Sequence, residues 1–482
     1  MQGALCGWGR RAPRPALLLL LSVARFCSPG GCAASTEASL QSSYFGTKTR
    51  YEDVNLELRA DPLWTRGHDT ALPSGCTPLQ MVGVIRHGTR YPTRKQIQKM
   101  KKVHRLVGAG GGSQSALVRE LRDWPMWYEE WMDGQLVRKG ERDMEHLAAR
   151  LSASFPSLLT KDRFRHRQMQ FITSSKHRCV DSAKAFIRGL AHRFQGHQEA
   201  SEIELQDAPC SEPVINDYLM RFFDHCEKFV TYIEENDTAM HQVDAFKEGP
   251  EMKRVLEKMA ALLDVPLKDL NADLAQVAFF TCSFELAINN VISPWCSVFD
   301  EEDSKVLEYL NDLKQYWKRG YGYDINSRAS CVLFQDIFKH LDRAVTESKS
   351  SQPITTPVVL QFGHAETLQP LLVLMGLFKD EEPLNASNFA KQSERMFRSG
   401  RIVPYASNLV FVLYHCEQVH SSEAEYQVQM LLNEKSLPFP HSGKSVASYH
   451  DLQMQYSNLL QGCNAKDECK HVEINNTSVD EL

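Results

Sequence analysis

The sequence predicts an α/β fold, with a split α/β domain at residues 35–200 and 325–482 and a mainly helical domain inserted at 201–324. Two observations support this prediction. On both sides of the insertion, short apolar runs rich in branched residues are followed by polar turns and then by helical patterns, as in a sheet covered by helices. Within the insertion, apolar residues recur at helical spacing from Ile215 to Ile233 and from Val306 to Trp317.

The first 34 residues have the layout of a secretory signal peptide. Arg10, Arg11 and Arg14 precede the apolar stretch Ala16 to Ala24, and small residues follow up to Ala34. The apolar stretch is too short to span a bilayer, and no later stretch is long and apolar enough to be a transmembrane helix. We therefore expect cleavage before Ser35 and a soluble mature chain.

The first strand of the α/β domain is predicted at Leu79 to Ile85, a short apolar run preceded by Gly75 and Pro78. It leads directly into Arg86-His87-Gly88-Thr89-Arg90-Tyr91-Pro92. In an open α/β sheet, ligands bind outside the carboxyl ends of the strands. His87 and the two arginines beside it are therefore placed to meet an anion.

The arginines that flank His87 indicate phosphoryl transfer. A guanidinium group binds two phosphate oxygens at once and offsets charge in the transition state, so Arg86 and Arg90 are suited to hold a phosphoryl group. Nearby positive charge disfavours a protonated imidazole, which leaves a ring nitrogen of His87 free to attack even in mildly acidic surroundings. The alternative is a structural histidine with two solvated arginines.

Two further strand ends carry candidate residues. Gln168 to Thr173 alternates polar and apolar residues as a strand does, and Arg178 then begins a helix, where backbone N–H groups favour anions. Val358 to Phe362 is another buried-strand run, and His364 follows it at the same kind of position as His87. Taken singly, Arg178 would be an ordinary surface residue and His364 a structural one.

The pattern Arg-His-Gly-x-Arg-x-Pro resembles the signature of the histidine acid phosphatases, relatives of the phosphoglycerate mutases. The segment from Thr173 to Ala183 resembles the second phosphate-binding segment of that family, and the motifs follow in the same order. The resemblance implies a phosphoglycerate-mutase-like α/β domain with a helical domain over the cleft. It also implies that His87 forms a phosphohistidine. The residues that it implies as phosphate ligands are Arg86, Arg90, Arg178 and His364.

Glu366 is the only acidic residue in the turn after His364. Breaking a phosphate ester releases an alkoxide, which leaves more easily when a nearby acid protonates it. In most of the family the second motif is His-Asp, with Asp as the proton donor, whereas here Ala365 fills that position. The His-Ala-Glu variant looks like that of the multiple inositol polyphosphate phosphatases. This resemblance implies that Glu366 is the donor.

A basic run from Arg86 to Arg105 contains eight Arg and Lys residues and no Asp or Glu, although the chain has a net charge of −5. The negative net charge argues against general nucleic-acid binding, whereas the run beside the site would attract a multiply charged anion. Its outer lysines could instead form a solvated helix face. The resemblance implies inositol polyphosphates, including phytate, as substrates, with 2,3-bisphosphoglycerate as a further one. No metal or organic cofactor is needed, because the arginines supply positive charge.

Two other functions stay open. Within the enzyme class, the chain could be a mutase or phosphotransferase that passes the phosphoryl group to a second hydroxyl instead of water. From a different class, it could be a luminal polyanion-binding protein that uses the same arginines without turnover. Pure binding needs neither a nucleophile nor an acid, so the presence of both His87 and Glu366 favours an enzyme.

Thirteen cysteines, ten of them after residue 34, suggest disulfides in a secretory chain. No Cys-x-x-Cys pair or His-rich spacing suggests a metal site. Cys463 and Cys469 are close enough in sequence to bridge a local loop. The family resemblance implies another bridge, from Cys76 before the first motif to Cys416 in a late strand.

The sequence also carries signals of the secretory pathway. Four sequons predict N-glycosylation, at Asn236, Asn385, Asn475 and Asn476. The last four residues, Val479-Asp480-Glu481-Leu482, match the Lys-Asp-Glu-Leu retention signal at three positions, which predicts binding to a retention receptor. A chance acidic tail is the alternative. We expect the protein to reside in the lumen of the endoplasmic reticulum, with some secretion.

Overall fold

The structure, a computed structural model, describes residues 42–65, 75–109, 115–195, 212–417 and 425–470. Several predicted features lie outside these residues. They are the signal peptide at 1–34, the sequons at Asn475 and Asn476, and the retention signal Val479 to Leu482.

A mixed sheet of eight strands forms the centre of the described structure. The strands are β1 Cys76–Arg86, β2 Met169–Thr173, β3 Val214–Ile215, β4 Val358–Gly363, β5 Asn408–Cys416, β6 Tyr426–Leu432, β7 Lys435–Ser436 and β8 Val446–Ser448. Their order in the sheet is β3, β2, β4, β1, β5, β6, β7, and β8 pairs with β6 beside this path. The strands that the sequence predicted, β1, β2, β4, β5 and β6, are confirmed.

The strands that matter for function end at one edge of the sheet. β3, β2, β4 and β1 are parallel, and the register aligns Ile85 of β1 and Thr173 of β2 with Phe362 of β4. β5 runs antiparallel to β1 with Asn408 opposite Ile85, so β5 begins at the same edge. Side chains that follow β1, β2 and β4, and those that precede β5, therefore converge there.

Helices account for most of the remaining described residues. Those of seven or more residues are α1 Arg94–Ala109, α2 Ala116–Asp123, α3 Arg138–Ser154, α4 His177–Gln195, α5 His241–Lys247, α6 Pro250–Leu263, α7 Ala272–Asn289, α8 Glu301–Arg319, α9 Cys331–Lys349, α10 Ala365–Leu374 and α11 Tyr449–Gln455. Shorter helices span Tyr51–Val54, Lys161–Arg165, Asp217–Met220, Glu227–Phe229, Asp324–Arg328, Ser399–Ile402, Ser457–Gly462 and Ala465–Glu468.

Helices cover both faces of the sheet. On one face, α3 and α4 contribute Met144 and Phe186 to the core beneath the strands. On the other face, α9 and α10 contribute Phe334 and Leu368. Because both faces are covered, β4 is buried at every position, and its sequence is apolar except for Gln361, which donates to the carboxylate of Asp336. The predicted α/β class is therefore confirmed.

Helices α5 to α8 form a further hydrophobic core together with α1 and α2. Large buried side chains such as Phe246, Phe279 and Tyr309 lie at its centre. Because α1 and α2 precede residue 201 in the chain, the helical part of the structure draws on more of the sequence than the predicted insertion. The division of the chain at residues 201 and 324 stays a prediction.

The described chain contains four disulfides, three of which link residues that are distant in sequence. The bridge between Cys76 and Cys416, implied by the family resemblance, is confirmed and joins directly opposed residues of β1 and β5. The local bridge between Cys463 and Cys469 is wrong. The other bridges pair Cys226 with Cys469, Cys282 with Cys296, and Cys331 with Cys463. The helix Ala465–Glu468 separates the two late cysteines, and each pairs with a cysteine far away in the sequence: Cys331 in α9 and Cys226 just before the helix Glu227–Phe229.

Two of the predicted sequons lie within the described residues. Asn236 and Asn385 are partly exposed, and the side-chain oxygen of each accepts a hydrogen bond from the backbone N–H two residues later. Across the part of the chain that the structure describes, no helix combines the length and hydropathy needed to cross a membrane.

Candidate active site

The loop after β1 is clamped between α3 and α4. The backbone of Gly88 lies against that of Gly140 in α3. A Cβ atom added to Gly88 would overlap the backbone of Gly140, and one added to Gly140 would overlap the backbone of Thr89. The N–H of Gly88 donates to the hydroxyl of Ser182 at 3.1 Å, and the Thr89 hydroxyl donates to the Asp143 carboxylate at 2.7 Å. These contacts explain why glycine is required at residue 88 and fix the direction of the preceding residue, His87.

His87 is buried and its ring is oriented by its own loop. Nδ1 lies 2.9 Å from the carbonyl oxygen of Gly88. A carbonyl oxygen only accepts hydrogen bonds, so Nδ1 carries the proton and Nε2 carries the lone pair. Burial and the charges of Arg178 and Arg86 hold the pKa of His87 well below its usual value. The ring is therefore neutral at neutral and mildly acidic pH, and Nε2 is free to act as a nucleophile.

The two motif arginines are anchored by backbone carbonyl groups. An N–H of Arg86 donates to the carbonyl oxygen of Val403, and one of Arg90 donates to that of Tyr91 at 2.6 Å. Burial lowers the pKa of Arg86 to about 10, so the guanidinium remains charged at neutral pH. Carbonyl groups hold these side chains in place without neutralising them, so their charge stays available to a ligand.

His364 follows β4 and meets residues that follow β2. Its Nδ1 lies 3.3 Å from an N–H of Arg178, and its Nε2 lies 2.9 Å from the hydroxyl of Ser174. A guanidinium only donates, so in this arrangement Nδ1 accepts and Nε2 carries the proton. Burial and the charge of Arg178 lower the pKa of His364 to about 3, so this ring is also neutral.

The structure brings together the side chains that the sequence predicted as a site. The ring centroids of His87 and His364 are 5.7 Å apart, and Arg178 reaches His364 from the start of α4. The charges of Arg86 and Arg90 act on His87 as well. These five residues come from the ends of three parallel strands, at the edge where ligands bind in open α/β sheets.

Glu366 lies in the first turn of α10 and is half-buried. Burial raises the pKa of its carboxyl group, but the positive charge of Arg319 and the fields of His364 and Arg86 outweigh burial and hold the pKa well below its usual value. Glu366 is therefore ionised in the free protein, and it is the acidic group that faces the cationic cluster.

Tyr405 was not predicted from the sequence. Its ring lies 4.7 Å from the Arg86 guanidinium carbon and its centroid lies 6.2 Å from that of His87. Tyr405 precedes β5, which runs antiparallel to β1. It therefore reaches the site from the start of a strand, whereas the predicted residues follow the ends of strands. The only sequence signal was its position just before a strand, and nothing in the sequence indicated that this strand begins at the site.

Cys179 was likewise missed as part of the site. Its sulfur lies 3.5 Å from Nε2 of His364 and 3.2 Å from the carbonyl oxygen of Gly363. Burial raises the pKa of the thiol to about 11, so Cys179 stays protonated and uncharged. Among the described cysteines it is the one outside a disulfide. Its sulfur also lies 3.7 Å from Nδ1 of His364, so it packs against the imidazole ring.

Several buried donors at the site have no partner among the described residues. They are the Nε groups of Arg86 and Arg178 and the hydroxyl of Tyr405. Buried polar groups are nearly always hydrogen-bonded, so these donors point to a ligand that accepts. Three guanidinium groups, two neutral imidazoles and one carboxylate around one space are suited to a tetrahedral oxyanion.

Comparison with known proteins agrees with this geometry. Residues 79–433 match the family described as the histidine phosphatase superfamily (branch 2). The chain belongs to this family. It is similar to multiple inositol polyphosphate phosphatase 1 of Homo sapiens, with 57% identity over 92% of each chain. The protein of that name from Gallus gallus is 55% identical over 98% of this chain and 100% of its own.

Solved structures share the fold of this histidine phosphatase at low identity. A multiple inositol polyphosphate phosphatase of Bifidobacterium longum in complex with inositol hexasulfate aligns with a TM-score of 0.67, 15% identity, and coverage of 87% of this chain and 98% of its own. The phytase from D. castellii aligns with a TM-score of 0.69, 17% identity, and coverage of 90% of this chain and 87% of its own. The predicted histidine phosphatase fold is confirmed.

Substitution of Gly140 tests whether the clamp positions the catalytic loop of this phosphatase. In Gly140→Ala, the new Cβ would overlap the carbonyl oxygen of Thr89. We expect urea unfolding to show a loss of about 1–3 kcal/mol, as for other overpacked sites. Gly108→Ala is the control, because a Cβ there meets nothing within 4 Å. Equal unfolding free energies for the two variants would contradict the proposed close packing.

Proposed function

We propose that the protein is a phosphomonoesterase that hydrolyses inositol polyphosphates, including phytate and lower inositol phosphates, and accepts 2,3-bisphosphoglycerate. The observation that carries the proposal is the neutral imidazole of His87, which presents a free nitrogen beside Arg86, Arg90 and Arg178. Two relatives that are more than 50% identical to this chain are named multiple inositol polyphosphate phosphatase 1, and these names support the substrate class.

The reaction proceeds in two displacements. In the first, Nε2 of His87 attacks phosphorus and forms an N–P bond while the ester P–O bond breaks. Glu366 gives its proton to the departing oxygen, which leaves as an alcohol. In the second, water attacks phosphorus and the N–P bond breaks. The carboxylate of Glu366 accepts the proton from water, and inorganic phosphate leaves.

Positive charge stabilises both transition states. Arg86, Arg90 and Arg178 hold the equatorial phosphoryl oxygens, where charge accumulates during transfer. The groups are desolvated, so their interactions with an oxyanion are stronger than in water. The guanidinium groups of Arg86 and Arg90 need not move when substrate binds, because carbonyl contacts already hold them in place.

His364 can donate to a phosphoryl oxygen because Ser174 allows a change of tautomer. In the free protein Arg178 donates to Nδ1 of His364, so the proton lies on Nε2. A hydroxyl group both donates and accepts hydrogen bonds. When a phosphoryl oxygen replaces Arg178 at Nδ1, the ring proton moves to Nδ1 and the Ser174 hydroxyl donates to Nε2.

Glu366 acquires its proton only when substrate is bound. In the free protein, positive charge keeps the pKa of Glu366 low despite its burial. A bound phosphate group brings negative charge to Arg86 and Arg178, which offsets the field that kept Glu366 ionised. The pKa of Glu366 therefore rises in the complex, and the carboxyl group becomes a competent acid at mildly acidic pH.

Transfer to a second hydroxyl, as in a mutase or phosphotransferase, is the rival reaction. It shares the phosphohistidine and differs only in the acceptor. Following labelled phosphate from substrate to inorganic phosphate or to a second organic ester separates the two. A polyanion-binding protein without turnover would release no phosphate at all.

Replacement of His87 tests the nucleophile. His87→Ala removes the nitrogen that attacks phosphorus, so we expect kcat for phosphate release from phytate to fall at least about 1,000-fold. The control is His166→Ala, because His166 is exposed and its Nδ1 bonds to the carbonyl oxygen of Asp162 in the short helix that precedes it. Near-normal turnover by His87→Ala, with a circular dichroism spectrum like that of the wild type, would refute the mechanism.

Replacement of Glu366 tests the acid. Glu366→Gln should reduce kcat for phytate by about 100-fold to 10,000-fold, and should reduce kcat for an aryl phosphate with a good leaving group by less than about 10-fold. The acid form is the active one, so wild-type kcat should fall as pH rises through the pKa of Glu366 in the complex. The variant should lack that decline. Equal losses on both substrates would show that Glu366 does not protonate the leaving group.

The proposal includes residence in the lumen of the endoplasmic reticulum, glycosylation at the sequons including Asn236 and Asn385, and recognition of the C-terminus by a retention receptor. The signal-peptide layout, four described disulfides and the tail Val479 to Leu482 support it.

Removal of the last four residues tests this location. The chain that lacks Val479 to Leu482 should be secreted, so we expect the ratio of medium to cell-associated protein to rise at least about 5-fold. The control is Met454→Ala, because Met454 is exposed and lies far from the tail in sequence. An unchanged ratio would contradict retention through the tail.

A further inference from the structure

Lys48 lies beside the active site on a segment held from several sides. It ends the short 3₁₀ turn Gly46–Lys48. Gly46 has a positive φ of 53°, and a Cβ there would overlap the side chain of Asn311 on α8. The carbonyl oxygen of Thr49 accepts a hydrogen bond of 3.0 Å from the N–H of Tyr405, whose ring packs on Arg86. The backbone around Lys48 is therefore fixed relative to the catalytic motif.

The ammonium group of Lys48 is buried and forms no close ion pair with a described carboxylate, although the charge of Glu366 acts on it. Lys48 is 8% exposed, its Nζ donates to the hydroxyl of Thr47 at 2.8 Å, and it lies 5.3 Å from the ring centroid of Phe280. A hydroxyl and an aromatic face do not neutralise a full charge. Burial of an unpaired ammonium is costly, so a site of this kind is suited to receive an anion.

Lys139 shows what a compensated lysine looks like in the same protein. It donates to the carboxylates of Glu52 and Asp143. Although burial lowers the pKa of Lys139, these carboxylates outweigh burial and raise it. At Lys48, burial is reinforced by the positive charge of Arg90, and the pKa falls well below its usual value. The contrast identifies Lys48 as a cation that lacks its partner.

Lys48 lies between the catalytic motif and the helices, because its segment contacts Tyr405 on one side and Asn311 of α8 on the other, and its Nζ lies over the ring of Phe280 on α7. After burial, Arg90 is the charge that lowers the pKa of Lys48 most, whereas for His87 it is Arg178. Lys314 of α8 also acts on Lys48. Lys48 therefore lies near the cationic cluster, whose Arg86 and Glu366 also act on it, and next to the helical part of the structure.

The basic run on α1 does not explain selection of polyanions as well as Lys48 does. Lys99 is paired with Asp273 at 2.6 Å, and Lys101 is paired with Glu129 at 3.0 Å. These lysines are also solvated, so a ligand gains little from either of them. Lys48, in contrast, is desolvated and forms no close ion pair, and Glu366 acts on it against the positive charges of Arg90 and Arg86.

We propose that Lys48 binds a second phosphate group of the substrate, adjacent to the one that His87 attacks. It thereby selects esters in which neighbouring carbons both carry phosphate. This inference rests on the proposed function and deepens it by naming a residue that distinguishes polyphosphates from monophosphates. The second phosphate supplies the missing counter-ion, and its negative charge favours the protonated form of Lys48.

The test is Lys48→Met, which keeps the length of the side chain and removes its charge. Initial rates are measured with phytate and with 4-nitrophenyl phosphate, which has one phosphate. For phytate we expect KM to rise and kcat/KM to fall about 30-fold or more, as when one member of a buried ion pair is removed. For 4-nitrophenyl phosphate we expect kcat/KM to change less than about 3-fold.

Matched variants complete the experiment. Lys305→Met is the control, because Lys305 lies at the exposed start of α8 and pairs with Glu301 and Glu302. Lys48→Arg, which keeps the charge, should retain at least about a third of the phytate selectivity. If Lys48→Met does not fold, Lys48→Gln replaces it, because its amide can still donate to Thr47.

Two results would overturn the inference. Equal losses of kcat/KM on both substrates would place Lys48 at the reacting phosphoryl group, and no loss on either would make its role structural. Both results concern Lys48 alone. Failure of the wild-type protein to release phosphate from phytate would instead overturn the proposed function itself.

Discussion

The active site depends on positive charge that the protein positions but does not neutralise. Arg86 and Arg90 donate to backbone carbonyl oxygens, which fix a guanidinium group without cancelling its charge. Elsewhere in the molecule, buried arginines are neutralised. Arg395, for example, forms ion pairs with both Glu308 and Asp312. The difference separates a site that requires an anionic ligand from a network that only supports the fold.

This excess of positive charge sets the protonation of the groups that react. It keeps His87 and His364 neutral, so a free ring nitrogen is present at mildly acidic pH. It also keeps Glu366 ionised in the free protein, although burial raises the pKa of its carboxyl group. In the proposed mechanism, binding of substrate is thus coupled to activation of the acid. A single electrostatic cause accounts for the nucleophile, the acid and the preference for anions.

The site residues that directly follow a predicted strand could be identified from the sequence. His87 and His364 each follow a buried strand, and parallel strands end at one edge, so their meeting could be expected from the sequence. Tyr405 precedes an antiparallel strand, and Lys48 lies on a turn far from any motif, so only the folded chain brings them to the site. The local bridge between Cys463 and Cys469 was wrong for the same reason, because proximity in sequence does not determine which side chains meet.

The central claim is that the neutral ring of His87 attacks through Nε2, because Nδ1 donates its proton to the carbonyl oxygen of Gly88. The most direct measurement is to quench the enzyme during turnover of phosphorus-labelled phytate and to determine by mass spectrometry and phosphorus NMR where the label is attached. The account predicts phosphate on Nε2 of His87. Label on Nδ1, on another residue, or on no residue during rapid turnover would contradict it.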